Sequence, residues 1–369
     1  MAIQTSYTIG LVIGNVTGNV PNRGLVILRV TRRVFMSPSI KTIAQTLGIS
    51  VSTVSRALNN HPDINLRTKE LILAKAKELN YTPNAFARGL VYKKSYTVGL
   101  MIPDITDPFF ADIAREIENV LFPAGYQVVY GSTVRNADKE KEFIKNAVSR
   151  QFDGLILTPD HFDEQLIELL ETLKIPVVFL RRRGVPQLNI PYIDVDHYKA
   201  ACEAVQFLIE LGHKKIGFLS MPDTSFTGQM RKQGYVDTLK KYRLSPLCEE
   251  GGRTIEDGRE GMRQLLQKHD ITSVFAANDL LGIGALEYLT VHNISVPEKI
   301  SIIGFDNIEI SALHWIQLTT MDQPRKLMGQ QVANLLLQMI QAFDKKELLP
   351  EQPALIEANL LKRRTCQKI

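Results

Sequence analysis

Two hydrophobic periods divide this chain. Between residues 38 and 82 apolar side chains recur at helical spacing, whereas from Thr97 onward they gather in short runs separated by amphipathic stretches. In the first region Ser39 can cap a helix whose apolar positions Ile40, Ile43, Ala44 and Leu47 follow i, i+3, i+4, i+7. Gly48 ends it, because a residue without Cβ turns there without a clash. Ser50 then caps a second short helix with Val54, Ala57 and Leu58 facing inward and Ser52, Thr53, Ser55 and Arg56 facing out. A third helix, about Arg67–Asn80, presents Ile72, Ala76 and Leu79 on one face and closes a three-helix core. Helix, glycine turn and second helix in so short a span make a helix-turn-helix, whose small outward side chains fit a major groove.

From Thr97 the pattern predicts strands at Thr97–Ile102, Gln127–Tyr130, Gly154–Leu157, Val177–Leu180, Ile216–Leu219, Ser273–Ala276 and Ser301–Phe305. Helical stretches lie between them, among them Phe110–Leu121, Ala137–Ser149, Tyr198–Leu211, Gln229–Lys241 and Leu280–His292. Regular βα alternation implies parallel sheets covered by helices, and the length suits two lobes. Ligands of such sheets bind beyond the carboxyl ends of the strands. Polar residues sit at those ends: Asp104, Asp160, Arg181, Asn278, Asp279 and Asp306, with Phe109 and Phe110 near the first. Acids and amides facing aromatics suit a hydroxylated ligand, although Asp and Asn also cap helices, and for Asp279 capping competes evenly. His213 follows a helix and is expected to cap its C-terminus.

Charge sharpens the division. Residues 37–96 hold nine bases against three acids, a net +6; residues 1–36 add +4, and the remaining 273 residues carry −5. A basic head on an acidic body is the footprint of a polyanion binder with a separate sensing part. Residues 1–37 fit neither part and read as an unstructured extension or an upstream start preceding Met36, with a basic arm making phosphate contacts as the rival. Cys202, Cys248 and Cys366 are far apart and form no CxxC or Cys/His cluster, so they read as reduced thiols, and no metal or cofactor is implied. No apolar run reaches spanning length, so a membrane partner is not expected. No G-x-G-x-x-G follows the first body strand and there is no Walker A motif. Asp194 and Asp196 form a carboxylate pair without a nearby base, so no catalytic residue is expected.

The wording of the head is more specific than its spacing. Residues 39–59, SIKTIAQTLGISVSTVSRALN, and 81–90, YTPNAFARGL, closely resemble the head of the LacI/GalR family of bacterial repressors. The resemblance implies that Val51 and Ser52 read bases and that Ser50, Thr53, Ser55, Arg56 and Asn59 contact phosphates and groove edges. It makes 83–96 the hinge helix and linker, with Arg88 among the DNA contacts and Leu90 the wedge at the centre of a palindrome. Such a wedge unstacks a base step and gains contacts from the bend. Gly89 stands where the family usually has serine and Val91 where a base is common, so a weaker hinge is expected.

The body resembles the same family over 97–369, in the motifs VGLMIPDITDPFF (98–110), GHKKIG (212–217), AAND (276–279), IGFDN (303–307) and LTTMDQ (318–323). The resemblance implies a two-lobed, type I periplasmic-binding-protein sensor. Its effector would be lined by Phe109 and Phe110 from the first lobe, and by Thr227, Arg231, Asn278, Asp306 and Gln323 from the second lobe and the crossovers. Arg181 stands where many relatives have an acidic or small polar residue; together with Arg182, Arg183 and Arg253 it suggests an effector with a carboxylate or phosphate, the equal alternative being that two of these arginines face solvent. The expected whole is an α/β chain with a small all-helical helix-turn-helix head (38–82) and a parallel-sheet sensor. It acts as a homodimeric cytoplasmic repressor that binds a palindromic DNA operator, controlled by a sugar, sugar acid or sugar phosphate. The competing class is a sugar-binding protein of a transport system, which needs a signal peptide and no head. Glu347–Ile369 holds no heptad repeat to support a tetramer.

Overall fold

A computed structural model describes residues 38–82, 94–183, 187–345 and 355–369. The chain divides into two compact units, Met1–Arg88 and Gly89–Ile369. The extension 1–37 and the hinge residues Arg88, Gly89, Leu90 and Val91 lie outside the described residues.

The head has three helices, α1 (Ile40–Leu47), α2 (Val51–Leu58) and α3 (Leu66–Glu78). Ser39 and Thr42 exchange side-chain-to-backbone bonds in a capping box at the start of α1, and Gly48 closes it at φ +65°. Ile43, Val54, Ala57 and Ile72 are fully buried, with Ala44 and Ala76 beside them. Ile64 and Tyr81, outside the helices, complete that core.

The body has two sheets. The first lobe orders its strands β2-β1-β3-β4-β5, namely Gln127–Ser132, Thr97–Ile102, Gly154–Leu157, Val177–Leu180 and Tyr192–Ile193, all parallel. The second orders β11-β10-β9-β8-β6-β7, namely Asn359–Leu361, Thr319–Asp322, Ser301–Asp306, Ser273–Ala276, Ile216–Ser220 and Leu247–Glu250. Only the β10–β11 pair there is antiparallel. Helices α4 (Pro108–Leu121), α5 (Ala137–Ser149) and α6 (Glu164–Glu171) follow strands of the first lobe. Helices α7 (His197–Glu210), α8 (Phe226–Lys241), α9 (Ile255–Lys268) and α10 (Asp279–Val291) follow within the second. The long α11 (Arg325–Lys345) leaves β10 of the second lobe yet packs on α4 and on β3, β4 and β5 of the first. The chain then returns to the second lobe as β11, so each lobe is built from separated stretches of sequence.

Strand carboxyl ends and helix starts meet where the two lobes face each other, as the doubly wound order requires. Asp107, Ser225 and Asn278 cap α4, α8 and α10 there, each side chain accepting from a backbone N–H in the first turn. Asn278 is therefore the cap of α10 and Asp279 its first helical residue, which corrects the capping expectation for Asp279. Its buried carboxylate accepts from the Thr320 hydroxyl at 2.6 Å and from the Ile308 N–H at 2.9 Å. His213 also departs from expectation. Its ring bonds to Thr272 at 3.0 Å and to the Gln367 carbonyl at 3.2 Å, leaving the main-chain N–H to close α7 on Leu208.

Candidate functional site

In the head, the face of α2 that does not pack on α1 and α3 is its functional candidate. Ser50 caps it by accepting from the Thr53 N–H at 3.0 Å, and its hydroxyl also meets those of Ser52 and Thr53 at 2.7 and 2.8 Å. Val51, Ser52 and Arg56 are exposed, and Thr53 and Ser55 partly so. Val51 is 41% exposed, an apolar side chain left outside a small core, where it can meet a thymine methyl. Arg56 pairs with Asp63 at 2.9 Å, and with both partners about half exposed that pair is worth little and can be exchanged for a phosphate. Asn59 donates to the Ser55 carbonyl at 2.8 Å, so its amide finishes the helix, and a groove contact would cost that bond.

In the body, the candidate site is the cleft between the lobes. Pro103, Asp107, Phe110, Arg135, Thr158, Asp160, Arg181 and Arg182 line it from the first lobe. Met221, Ser225, Phe226, Thr227, Asn278 and Asp306 line it from the second. The free space among them is about 30 Å³, enough for a water or two. A sugar-sized ligand therefore requires the lobes to part or side chains to withdraw.

The expected residues separate into those that face the cleft and those that build it. Phe110, Arg181, Thr227, Asn278 and Asp306 are at its wall. Phe109 is fully buried beneath, edge-on to Phe110 with ring centroids 5.5 Å apart, and carries the Arg181 guanidinium at 4.2 Å. Arg231 is also fully buried, and its terminal nitrogens are consumed. One donates to the Ala277 carbonyl, while the other reaches Asp306 at 3.2 Å and His197 at 3.3 Å, with Phe305 covering its face at 3.7 Å. Arg231, expected from the resemblance to line the effector, is thus buried behind the wall with its terminal nitrogens engaged, and it holds Asp306 instead. Gln323, wholly buried, donates to the same oxygen of Asp306 at 2.5 Å. Both bonds fall on Oδ1, leaving Oδ2 without a side-chain partner among the described residues. Asp306 is held there at φ +121°, a strained backbone for a residue with a Cβ.

Behind Arg231 the carboxylate pair has a base after all. His197, fully buried, bonds through Nε2 to Asp194 at 3.1 Å, while Asp196 caps α7. Because Nε2–H donates to the carboxylate and Nδ1 accepts from Arg231, His197 is the neutral imidazole. Burial and the two guanidiniums keep it so, lowering its pKa to about 4. It holds the crossover between β5 and α7 and has no access to the cleft. Arg183 likewise turns to Asp194 at 3.5 Å, away from the cleft.

Asp104 turns away as well, accepting from the Thr106 N–H and hydroxyl at 2.9 and 2.8 Å. Four polar wall residues carried no expectation: Asp107, Arg135, Thr158 and Ser225. Asp107 and Ser225 are spelled as helix caps, and Arg135 lies in a turn after β2, at φ +55°. Arg135 pairs with Asp160 at 2.8 Å, and Arg253 approaches the same carboxylate at 3.9 Å. Among the described residues no cluster of three metal-ligating side chains occurs, and no helix is long and apolar enough to cross a membrane.

Comparison with known proteins gives this arrangement its relatives. The family model described as bacterial regulatory proteins, lacI family, matches residues 39–84, and that of periplasmic binding proteins and sugar binding domain of LacI family matches 95–363. The HTH-type transcriptional repressor CytR of Escherichia coli (strain K12) is 34% identical over 309 residues, spanning 82% of this chain and 90% of its own length. The catabolite control protein A of Priestia megaterium is 33% identical over 307 residues, 82% of this chain and 92% of its own. The crystal structure of the Lac repressor dimer bound to operator and the anti-inducer ONPF superimposes with a TM-score of 0.80 at 27% identity, covering 89% of this chain and 99% of that one. The chain therefore belongs to the LacI family of DNA-binding transcriptional repressors regulated by small-molecule effectors, and not to the transport proteins whose fold its body shares.

Proposed function

We propose that the protein is a homodimeric cytoplasmic repressor of carbohydrate-metabolism genes, without enzymatic activity, whose grip on a palindromic operator is set by a hydroxylated effector in the interlobe cleft. Residues 38–82 read one half-site each, 83–96 form the hinge with Arg88 and Leu90 on the DNA, and 97–369 sense the effector and dimerise. The observation that carries the reading is the outward face of α2, with Val51, Ser52 and Arg56 presented by a helix capped at Ser50. The relative crystallised as a dimer on operator DNA with an anti-inducer supports the same division of labour.

In this reading Asp306 Oδ2, Asn278 and Thr227 address ligand hydroxyls, and Phe110 packs against the ring. Ligand binding changes the angle between lobes joined by three crossovers, and so the spacing at which two heads can meet two half-sites. The coupling this requires is typically ~1–3 kcal/mol.

The test is selection from a pool of genomic fragments by the full chain at two salt concentrations, with recovery and sequencing of the bound DNA. One palindromic site, with affinity falling steeply as salt rises, is the expected outcome. Sequence-independent binding, both alone and with sugars, sugar acids and sugar phosphates added, overturns the reading. On the recovered site Ser52→Ala relaxes base preference by about 1–3 kcal/mol at one symmetric pair of positions, read by competition with single-base variants.

A further inference from the structure

The cleft wall holds more guanidinium than its carboxylates can use. Asp306 is occupied by Arg231, Asp160 by Arg135 and Arg253, and Asp107, the third wall carboxylate, caps α4 by accepting from the Phe109 N–H at 3.0 Å. Arg181 and Arg182 remain. Among the described residues neither makes a side-chain hydrogen bond or has a carboxylate within 4.0 Å, and the Arg181 Nε is buried without a partner. Arg181 is only 8% exposed. A donor such as the Arg181 Nε, cut off from water with its hydrogen unmet, is costly, and an acceptor arriving in the cleft relieves that cost.

Its setting suits an anion. Arg181 follows β4 at φ +54°, a left-handed backbone that a non-glycine residue rarely adopts. The rings of Phe109 and Phe110 take up its face, at 4.2 and 5.2 Å, so its in-plane N–H edge is what remains to bind. Arg182 is placed in the same manner, 4.7 Å from both Phe162 and Phe226. Each guanidinium is positioned by aromatics rather than neutralised by an acid. The N-termini of α4, α8 and α10 converge on the same cleft, and their dipoles add positive potential.

We propose that Arg181, with Arg182 beside it, forms an oxyanion seat, and that the effector is a hydroxylated molecule bearing a phosphate or carboxylate group. The seat rests on the reading of the cleft as the effector site. The anion accepts from the Arg181 edge while hydroxyls elsewhere on the ligand address Asp306 and Thr227 on the second lobe. Closure of the lobes is then favoured by a ligand that has both parts.

The test uses the full chain at fixed ionic strength, titrated calorimetrically with inorganic phosphate, glucose 6-phosphate, gluconate and glucose, and repeated with Arg181→Gln. Saturable phosphate binding that weakens by about tenfold or more in Arg181→Gln is the expected result, the loss of one charge-assisted contact. Phosphate held by the basic head is common to both proteins and cancels in the comparison. Preference for glucose 6-phosphate assigns the seat to phosphate, and preference for gluconate assigns it to carboxylate. Equal binding of all three anions by wild type and variant overturns the seat, as does binding of glucose at least as tightly as its charged congeners. Should circular dichroism show that Arg181→Gln does not fold, Arg182→Gln is carried through the same titrations, where weakened phosphate binding supports the seat and unchanged binding overturns it. Operator binding is measured in parallel without and with the same ligands, and its absence under both conditions counts against the repressor reading alone, since the seat lies within the body.

Discussion

Arg231 stabilises by holding other groups in place, and its sequence context does not reveal this. The family resemblance places it on the effector, because a matching position shows the group and not what consumes its hydrogens. Burial lowers its pKa to about 10, against the opposing pull of Asp306, so it stays charged. Arg231→Leu removes the partner of a buried carboxylate and leaves only Gln323 on Asp306. A loss of about 3–5 kcal/mol is expected, read from urea unfolding midpoints, with Arg231→Leu/Asp306→Asn recovering part of it. Two other buried groups work against each other as pH changes. His197 is lowered from 6.5 to about 4, so the unfolded chain takes up a proton that the folded one refuses. Stability from this group is full above 6.5 and is lost as pH falls toward 4. Asp279 is raised from 3.8 to about 7 by burial and then by Asp306, so the folded chain holds a proton that the unfolded one releases. Its contribution is full below 3.8 and is lost as pH rises toward 7. The opposed slopes nearly share a window. Asp279→Asn removes the second, and its stability relative to wild type is expected to rise between pH 4 and 7, by on the order of 3 kcal/mol. A pH-independent difference between the two proteins contradicts this.

At the scale of elements, the turn between α1 and α2 is where sequence and structure agree most closely. Gly48 is required by its backbone alone, since no atom lies within 4 Å of the position a Cβ would take. Gly48→Ala is therefore expected to lower head stability by about 1 kcal/mol, and Gly48→Asn by less, because Asn tolerates the left-handed region. Ser50→Ala, which strips the cap of α2, is expected to cost about 1 kcal/mol as well. Scanning calorimetry of the head transition checks all three. In the body, β1, β3, β4 and β8 are legible to the residue because each is a wholly or almost wholly buried apolar run inside its sheet. The edge strands β5, β7 and β11 are two to four residues long with little apolar pattern, and exist because a neighbour supplies their hydrogen bonds. β10 is buried although it reads Thr-Thr-Met-Asp, since Thr319 and Thr320 spend their polar atoms on Thr365, Arg363 and Asp279. Asp306, Phe110 and Asn278 were legible in the cleft because they stand in recognisable motifs at strand ends. Arg135 was not, because it sits in a turn with no pattern of its own.

For the whole molecule, the two compact units should answer a ligand differently. A molecule held in the cleft stabilises the body by about 2.7 kcal/mol at one hundred times its dissociation constant, and calorimetry is expected to show the body transition moving while that of the isolated head fragment stays in place. The crossovers make the lobes interdependent. Arg325, at the start of α11, donates to Asp112 of α4 at 2.6 Å and to the Asn307 carbonyl of the second lobe, so one side chain touches both. None of this lobe-to-lobe sharing was legible from periodicity, which shows that α11 is amphipathic and not which sheet it covers. The interleaving also sets an order of events during synthesis. The head, with its core contained between Ile40 and Tyr81, is complete soon after its residues leave the ribosome. The first lobe begins at Thr97 but must wait for α11, and the second begins near His197 but lacks an edge until β11 arrives. A nascent chain therefore carries a folded head well before the body that the repressor reading needs for dimerisation is complete, with unsealed sheets trailing behind. A chain that stops short of Asn359 leaves the Thr319–Asp322 edge of its second sheet unpaired, an open strand of the kind that invites aggregation.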